Sequence, residues 1–286
     1  MDDIRVKSWS EAMAVLYPRE PHRFSERYRS SNAFRGLANA SWPLRTSYQR
    51  LPVKSGYREK VEGHLLRNFR TYATDGGGKT PHDADRSWSD WRWLTVAQHH
   101  GLPTRLLDWT HSPLVALHFA TAETDHFGVD GAVWVCARAK ANYRAPAALR
   151  DPLREADTGN YTLAMLEQLV PSLRDFDRMA KQPFLIFYEP PSIDARIVNQ
   201  AAMFSVMSDR DAAVDEWLEQ QECDLQKVVI DKAAKLEIRD KLDQSGVTER
   251  VLFPGLDGLS AWIKRHFTAA DALRPKTAPA KGRRRS

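Results

Sequence analysis

Apolar positions recur at helical spacing in several stretches of the chain, and residues that favour helix ends bound them. Ser8 or Ser10 can cap a short first helix that Pro18 ends. Ser112-Pro113 is typical of a helix start, and an amphipathic helix is predicted over 114–120. The same reasoning predicts further helices over 57–73, 232–242 and 256–267. It also predicts a helix from a cap at Ser87 to His100, which Gly101 ends in a left-handed conformation.

Short runs rich in β-branched and aromatic residues predict strands. They cover 32–36, 131–137, 184–188, 227–230 and 251–253, and 195–207 is expected to be one strand or a bent pair. Helices and strands that mix in this way predict an α+β fold with a small mixed or antiparallel sheet flanked by helices. We expect one domain over 1–270 and a disordered tail over 271–286.

The net charge of +5 is matched by five basic residues near the end of the 286-residue chain, namely Lys276, Lys281, Arg283, Arg284 and Arg285. The rest of the chain is therefore close to neutral. The basic tail can contact a protein or nucleic-acid acceptor, but it lacks the aromatic residues of a base-stacking site. We favour simple solubility as its role over specific binding.

Several function classes lose support from the sequence. No apolar run approaches the length of a membrane span, and the acidic start Met1-Asp2-Asp3 is unlike a signal peptide, so we expect a cytoplasmic protein without a membrane partner. Cys136 and Cys223 lie in separate apolar segments without metal-ligand spacing, which predicts buried free thiols and no metal site. The run Gly76-Gly77-Gly78-Lys79 lacks the spacing of a phosphate-binding loop and predicts a mobile surface loop.

One stretch mixes amide, imidazole, guanidinium, carboxylate, indole and hydroxyl groups around a glycine and a proline. It reads Gln98-His99-His100-Gly101-Leu102-Pro103-Thr104-Arg105-Leu106-Leu107-Asp108-Trp109-Thr110. That mixture suits a hydrophobic core poorly. We therefore expect a polar loop between two helices, where binding sites are commonly built.

Four groups of residues together resemble the FRG domain, a family named for its Phe-Arg-Gly tripeptide and found mostly in bacteria and their phages. They are Phe34-Arg35-Gly36 followed by Trp42-Pro43-Leu44, Ser47 and Arg50; the run over 98–110; Arg196-Ile197-Val198-Asn199-Gln200 with Phe204; and Phe253-Pro254-Gly255-Leu256-Asp257-Gly258-Leu259. The resemblance spans nearly the whole chain. It implies membership of the family and does not by itself specify a reaction.

Arg35 ends a predicted strand, and Gly36 is expected to let the backbone turn sharply there. The planar guanidinium can bind a phosphate or a ribose oxygen, or it can pair with Asp108 as an internal staple, and both roles are compatible. Because unpaired charges are costly to bury, we expect Arg35, Asp108 and Thr110 to meet in space.

Three residues follow an order similar to that of the arginine, serine and glutamate of ADP-ribosyltransferases. They are Arg35, then Thr110 before an Ala-rich helix, then Gln200 late in the chain. The similarity implies an ADP-ribosyltransferase-like fold, with NAD as a substrate and no tightly bound cofactor. It implies that Thr110 and Gln200 orient the sugar and that Trp109 stacks. Gln200 departs from the pattern because a neutral amide stabilises a charged ribose poorly. Glu189 or Asp108 then supplies the charge, or the site binds without turnover.

The two adjacent histidines point about 100° apart on a helix, so at most one of His99 and His100 is expected to face the cleft. That one either acts as an acid or base, or caps the helix. Arg196 and Gln200 share a face if their segment is a strand, and either line the cleft with Phe204 or make strand-end hydrogen bonds.

The leading prediction is a nucleotide-binding protein that consumes NAD as an ADP-ribosyltransferase or an NAD glycohydrolase. The residues predicted to take part in chemistry are His99, His100, Asp108 and Gln200. The residues predicted to contact the ligand are Arg35, Gln98, Thr104, Arg105, Trp109, Thr110 and Arg196. The alternative is a non-catalytic module that recognises a protein or nucleic-acid partner and uses the same polar cluster to brace the loop.

Overall fold

The computed structural model describes residues 3–17, 20–21, 26–54, 57–75 and 87–270. Within these residues eight strands form one sheet in the order β1-β8-β4-β2-β3-β7-β6-β5. The strands are β1 (Ile4–Val6), β2 (Ala33–Leu37), β3 (Leu106–Thr110), β4 (Gly131–Cys136), β5 (Tyr161–Thr162), β6 (Leu185–Glu189), β7 (Ala202–Met207) and β8 (Gln226–Ile230). Parallel pairs occur at the two edges, β1 with β8 and β5 with β6, and the inner pairs are antiparallel.

Helices cover both faces of the sheet. They are α1 (Trp9–Leu16), α2 (Arg58–Asp75), α3 (Asp90–His99), α4 (Pro113–Thr121), α5 (Arg138–Asn142), α6 (Ala147–Glu155), α7 (Leu163–Leu169), α8 (Leu173–Arg178), α9 (Ala195–Asn199), α10 (Val214–Gln220), α11 (Lys235–Gln244), α12 (Glu249–Leu252) and α13 (Leu256–His266). The predicted α+β class is confirmed by this mixture of helices and a mixed sheet. No helix in the described ranges is long and apolar enough to cross a bilayer.

The two central strands diverge from each other. β2 and β3 pair only at Phe34 and Thr110, whereas β2 pairs with β4, and β3 with β7, along their full five-residue lengths. The ladder between β2 and β3 therefore ends after one pair, and the middle of the sheet opens there.

The tripeptide Phe34-Arg35-Gly36 lies in β2, and its first and third residues pack against α4. Phe34 is fully buried in the cluster that contains α4 and α11. A Cβ atom on Gly36 would lie 1.8 Å from the carbonyl oxygen of Ala116, so the glycine lets α4 pack directly on the strand. The expected sharp turn at Gly36 is wrong, because the glycines with positive φ among the described residues are Gly101, Gly246 and Gly255.

Most predicted elements are confirmed within a few residues, including the caps at Ser8 and Ser112 and the left-handed Gly101 with φ of 82°. The helix predicted from Ser87 is capped by Ser89 instead. The predictions at 32–36, 131–137, 184–188 and 227–230 correspond to β2, β4, β6 and β8.

Three predicted elements are wrong. The last five residues of the expected loop over 98–110 form the central strand β3. The expected strand over 195–207 is α9, capped by Asp194, followed by β7 after Ala201 takes a positive φ of 45°. The expected strand over 251–253 belongs largely to α12, because the Thr248 side chain accepts a hydrogen bond from Val251 N and caps a helix.

Cys136 and Cys223 are buried free thiols, as predicted. Burial raises the pKa of the Cys223 thiol to about 11, so it stays protonated and poorly nucleophilic. The basic tail over 271–286 and the glycine-lysine run over 76–79 lie outside the described residues.

Candidate functional site

A cavity of about 570 Å³ opens where β2 and β3 diverge. This volume is in the range of small-molecule sites. Its lining comes from β2, the segment over 42–50, the end of α3, β3, α4 and the α9–β7 junction. The lining residues are Phe34, Arg35, Gly36, Leu37, Ala38, Trp42, Pro43, Arg45, Arg50, Gln98, His99, Asp108, Trp109, Thr110, Phe119, Glu123, Arg196, Ile197, Gln200, Ala202 and Phe204.

Arg35 spans the gap between the two strands. Its Nη1 donates to the backbone carbonyl of Asp108 at 2.5 Å and lies 3.7 Å from the Asp108 Oδ2 atom. Its side chain is 14% exposed, and its Nε is buried without a hydrogen-bond partner. Burial lowers the pKa of the guanidinium, the Asp108 carboxylate opposes that shift, and the nearby Arg50 lowers it further. The predicted meeting of Arg35 and Asp108 is confirmed.

Asp108 presents a carboxylate that is fixed on one side and open on the other. Its side chain is 58% exposed, and Gln98 Nε2 donates to both carboxylate oxygens at 2.9 Å. The Thr104 hydroxyl donates to Gln98 Oε1 at 2.6 Å, and the Thr104 amide donates to Ser47 Oγ at 3.0 Å. Gln98 therefore orients the carboxylate, and Thr104 in turn orients Gln98.

Thr110 and Gln200 lie together at the junction of β3 and β7. The Thr110 hydroxyl donates to the Gln200 carbonyl at 2.6 Å and accepts from Ser112 N at 3.0 Å. The Gln200 side chain donates to the Leu252 carbonyl at 2.9 Å. Because the only hydroxyl proton of Thr110 is already donated, this residue can contact a ligand as an acceptor alone.

His99 faces the cavity from the end of α3, and its Nε2 lies 2.5 Å from Asp194 Oδ2. Burial lowers the pKa of His99, Asp194 opposes this shift, and Arg196 adds to it, so a neutral imidazole is favoured at neutral pH. Arg196 places its guanidinium 5.1 Å from the Phe253 ring centre. It is carried by a helix and lines the cavity with Gln200, although the strand predicted for this pair is wrong.

Arg105 lies outside this cavity, which corrects its predicted role. Its side chain is 2% exposed and is held between Glu62, with Nε 2.5 Å from Oε1, and Asp177, with Nη2 3.1 Å from Oδ2. The guanidinium is thus neutralised and saturated. Thr104 is also buried and supports Gln98, so the prediction of a direct ligand contact is replaced by a positioning role.

Three further residues do not fit their predicted roles. Trp109 borders the cavity but is only 3% exposed, and its Nε1 donates to Ser205 Oγ at 2.9 Å, so its ring is too buried for a base to stack on it. His100 caps α3 and is not part of the cavity lining. Glu189 also lies outside the lining, where it pairs with His111 at 3.3 Å. Of the two carboxylates considered, Asp108 is the one that faces the cavity.

Sequence reasoning gave no role to several residues that line the cavity. Trp42 is 37% exposed at its edge, with its ring centre 5.0 Å from that of His126. Arg45 and Arg50 add two exposed guanidiniums, and Arg50 Nη1 donates to the Arg45 carbonyl at 2.6 Å. Trp42 and Arg50 stand among the residues that carry the family resemblance, and this was the available signal.

Comparison with known proteins places part of this site in a family. Residues 30–128 match the model of the FRG domain. The matched part contains Arg35, Gln98 and Asp108, whereas the wall formed by α9 and β7 lies beyond it. No curated protein matches the chain, and no solved structure does. The Phe-Arg-Gly strand, the divergent β3 and the helix packed on Gly36 all fall within the match, and the chain therefore carries an FRG domain over residues 30–128.

Proposed function

We propose that the cavity binds a nucleotide of the NAD class and cleaves its nicotinamide–ribose bond, as an ADP-ribosyltransferase or an NAD glycohydrolase does. The observation that carries the proposal is the pair formed by Arg35 and Asp108. A mostly buried guanidinium and an open, oriented carboxylate lie 3.7 Å apart on the wall of a ligand-sized cavity. A guanidinium suits phosphate oxygens, and a carboxylate suits sugar hydroxyls and positive charge on a ribose.

The reaction needs little acid catalysis. The bond between ribose C1′ and the pyridinium nitrogen breaks, its electron pair leaves with nicotinamide, and the departing ring becomes neutral. Positive charge then develops on the ribose. A water molecule or an acceptor attacks C1′ and loses a proton. Asp108 is placed to stabilise the charge, and the carboxylate or the neutral His99 can accept the proton.

In this proposal Asp108 supplies the negative charge that a glutamate supplies in ADP-ribosyltransferases. This chain has Gln200 in the place of that glutamate. The Gln200 amide is bound to the Leu252 carbonyl, so it supports the wall of the cavity. Gln98 occupies one side of the Asp108 carboxylate and leaves the other side open to a ligand. Trp42 replaces Trp109 as the ring on which a base would stack, because it is exposed at the cavity edge.

One observation favours the alternative of a binding module without turnover. The proton of Thr110, the amide of Gln98 and the Nε2 of His99 are all bound to protein groups. Such bonds brace the cavity and reduce the number of groups left for chemistry. The cavity would then recognise its ligand or partner through groups that remain open, among them Arg35 and the free side of Asp108.

The test is incubation of the purified protein with NAD and measurement of released nicotinamide. We expect release by the wild type and a loss of about 100-fold or more in kcat in Asp108→Asn, which keeps the shape of the side chain and removes its charge. Asp240→Asn, an exposed site outside the cavity, is the matched control. Wild-type protein that binds NAD without releasing nicotinamide would favour the binding module.

A further inference from the structure

The segment that carries Arg45 and Arg50 is a rigid turn. Thr46 and Gln49 bond reciprocally, each backbone amide donating to the other side chain at 3.0 and 3.1 Å. This is the capping-box arrangement of a helical turn. The Gln49 side chain also donates to the carbonyl of Ala212 at 2.9 Å, which ties the turn to the segment before α10. The turn is thus fixed before any ligand arrives.

A second set of hydrogen bonds, made by Arg58, holds the same turn. Arg58 Nη2 donates to the carbonyl of Gln49 at 2.8 Å and to that of Tyr48 at 3.3 Å, and its Nε donates to Asp211 Oδ1 at 2.7 Å. The Tyr48 side chain is fully buried, and its amide donates to the Thr104 carbonyl at 3.1 Å. The guanidinium of Arg58 is therefore fully engaged in holding the turn, whereas those of Arg45 and Arg50 line the cavity.

Three guanidiniums, those of Arg35, Arg45 and Arg50, therefore line the same cavity. Arg45 and Arg50 are exposed, and neither forms an ion pair with a carboxylate in the described part of the chain. Burial lowers the pKa of Arg35, the Asp108 carboxylate opposes that shift, and the positive charge of Arg50 adds to it. Positive charges that line one cavity raise the local concentration of anions, and an anion bound between them relieves their mutual repulsion.

The acidic groups of the cavity leave an excess of positive charge. The Asp108 carboxylate lies near Arg35 and accepts from Gln98, and Glu123 Oε2 lies 3.0 Å from His126 Nδ1. Arg196 adds a further positive charge from α9. An occupant with two adjacent negative charges would satisfy Arg35 and the turn together, because planar guanidinium groups bind phosphate oxygens in pairs.

We infer that Arg35, Arg45 and Arg50 form a subsite for a diphosphate, so the ligand of the cavity is a nucleoside diphosphate or a larger molecule that contains one. Arg35 holds one phosphoryl group at the sheet, Arg50 holds the second, and Arg45 closes the outer side. The inference rests on the proposed function in taking this cavity as the ligand site. It does not depend on turnover, since ADP, ADP-ribose and NAD all contain the diphosphate.

Calorimetric titration with inorganic pyrophosphate tests the subsite. We expect the wild type to bind pyrophosphate at least about tenfold more tightly than orthophosphate, because only pyrophosphate reaches both Arg35 and Arg50. Arg50→Ala should weaken pyrophosphate binding about tenfold or more and leave orthophosphate binding little changed. Arg50→Lys should recover only part of the loss, because a point charge lacks the guanidinium fork. Arg178→Ala, at an exposed arginine outside the cavity, is the control.

The inference is overturned if the wild type does not bind pyrophosphate at millimolar concentration, or if Arg50→Ala and Arg178→Ala bind it equally. If Arg50→Ala does not fold, Arg50→Gln carries the test, because it keeps a donor for the Arg45 carbonyl and removes the charge. Pyrophosphate binding that depends on Arg50 without nicotinamide release would uphold the subsite and refute the proposed reaction. The two failures are therefore distinguishable.

Discussion

Arg35 Nη1 donates a hydrogen bond to the backbone carbonyl of Asp108 at 2.5 Å and thereby joins β2 to β3 beyond the single pair that their ladder forms. The two residues are 73 positions apart in the chain. The same guanidinium also lines the cavity that this divergence creates. One side chain can therefore both join the two strands and contact a ligand, which are the two roles that the sequence suggests for Arg35.

Replacing Arg35 should separate ligand binding from folding. Arg35→Ala leaves the Asp108 carbonyl without its donor, which we expect to lower the free energy of unfolding by about 1–3 kcal/mol. It should also abolish the thermal shift that NAD produces, while Arg35→Lys restores stability better than binding. Thermal denaturation with and without NAD measures both effects. A shift that persists in Arg35→Ala would place the ligand elsewhere.

Thr104 should act on catalysis through Gln98 and Asp108. In Thr104→Val the donor to Gln98 Oε1 is lost, so the Asp108 carboxylate loses its fixed orientation. We expect kcat for nicotinamide release to fall about tenfold with little change in KM, since misplacement of a reacting group acts on the transition state. Thr104→Ser should rescue kcat. Equal losses in Val and Ser variants would contradict the positioning role.

The glycine of the tripeptide should be required for packing. Gly36→Ala places a methyl group against the Ala116 carbonyl, and we expect it to lower the free energy of unfolding by about 3 kcal/mol or more. Gly63→Ala is the matched control: nothing lies within 4 Å of its Cβ position in α2, so alanine there should stabilise by up to about 1 kcal/mol. Chemical denaturation compares the two variants. Similar stabilities would refute the close approach of α4.

Stability should depend on pH through His118, which is buried beside Arg239. Burial, with Arg239 next, lowers the pKa of His118 to about 3; Glu249 opposes this shift and Arg265 adds to it. The unfolded chain binds a proton near pH 6.5 and the folded chain does not, so stability falls as the pH drops from 6.5 towards 3.

For one proton, this fall in the free energy of unfolding has a limit of about 1.4 kcal/mol per pH unit. His118→Gln keeps an acceptor for Arg239 Nη1 and should flatten the slope, whereas His266→Gln at an exposed position should not. Urea denaturation at several pH values provides the measurement. An unchanged slope in His118→Gln would show that the buried imidazole is not its source.

Local sequence signals were largely sufficient to predict the helices and strands. Ser8 and Ser112 cap helices as their sequence context predicts, because N-capping depends only on nearby residues. The sequence pattern does not predict β3, because Asp108 puts a charge in the centre of the strand and its partner strand β7 is about a hundred residues away. Asp194 and Thr248 are cap residues of the same kind as Ser112, and they were available signals for α9 and α12.

The site itself was predictable only in part, for a physical reason. Arg35 and Arg105 look alike in the sequence, but Arg105 is neutralised by Glu62 and Asp177, which lie 43 and 72 positions away. Local sequence does not show which arginine will find buried carboxylates. Arg50 reaches the cavity because the turn over 45–50 is tied to a distant segment by Gln49, and such long-range bonds have no sequence spacing to reveal them.

Calorimetric titration with ADP-ribose tests the central claim most directly, because it measures occupation of the cavity without turnover. The wild type should bind ADP-ribose with a dissociation constant in the micromolar to low millimolar range typical of substrates. Asp108→Asn should bind it with only modest loss, and Arg35→Lys should bind it at least about tenfold more weakly. Wild-type protein that shows no heat of binding at millimolar ADP-ribose, or Arg35→Lys that binds as tightly as the wild type, would contradict the account.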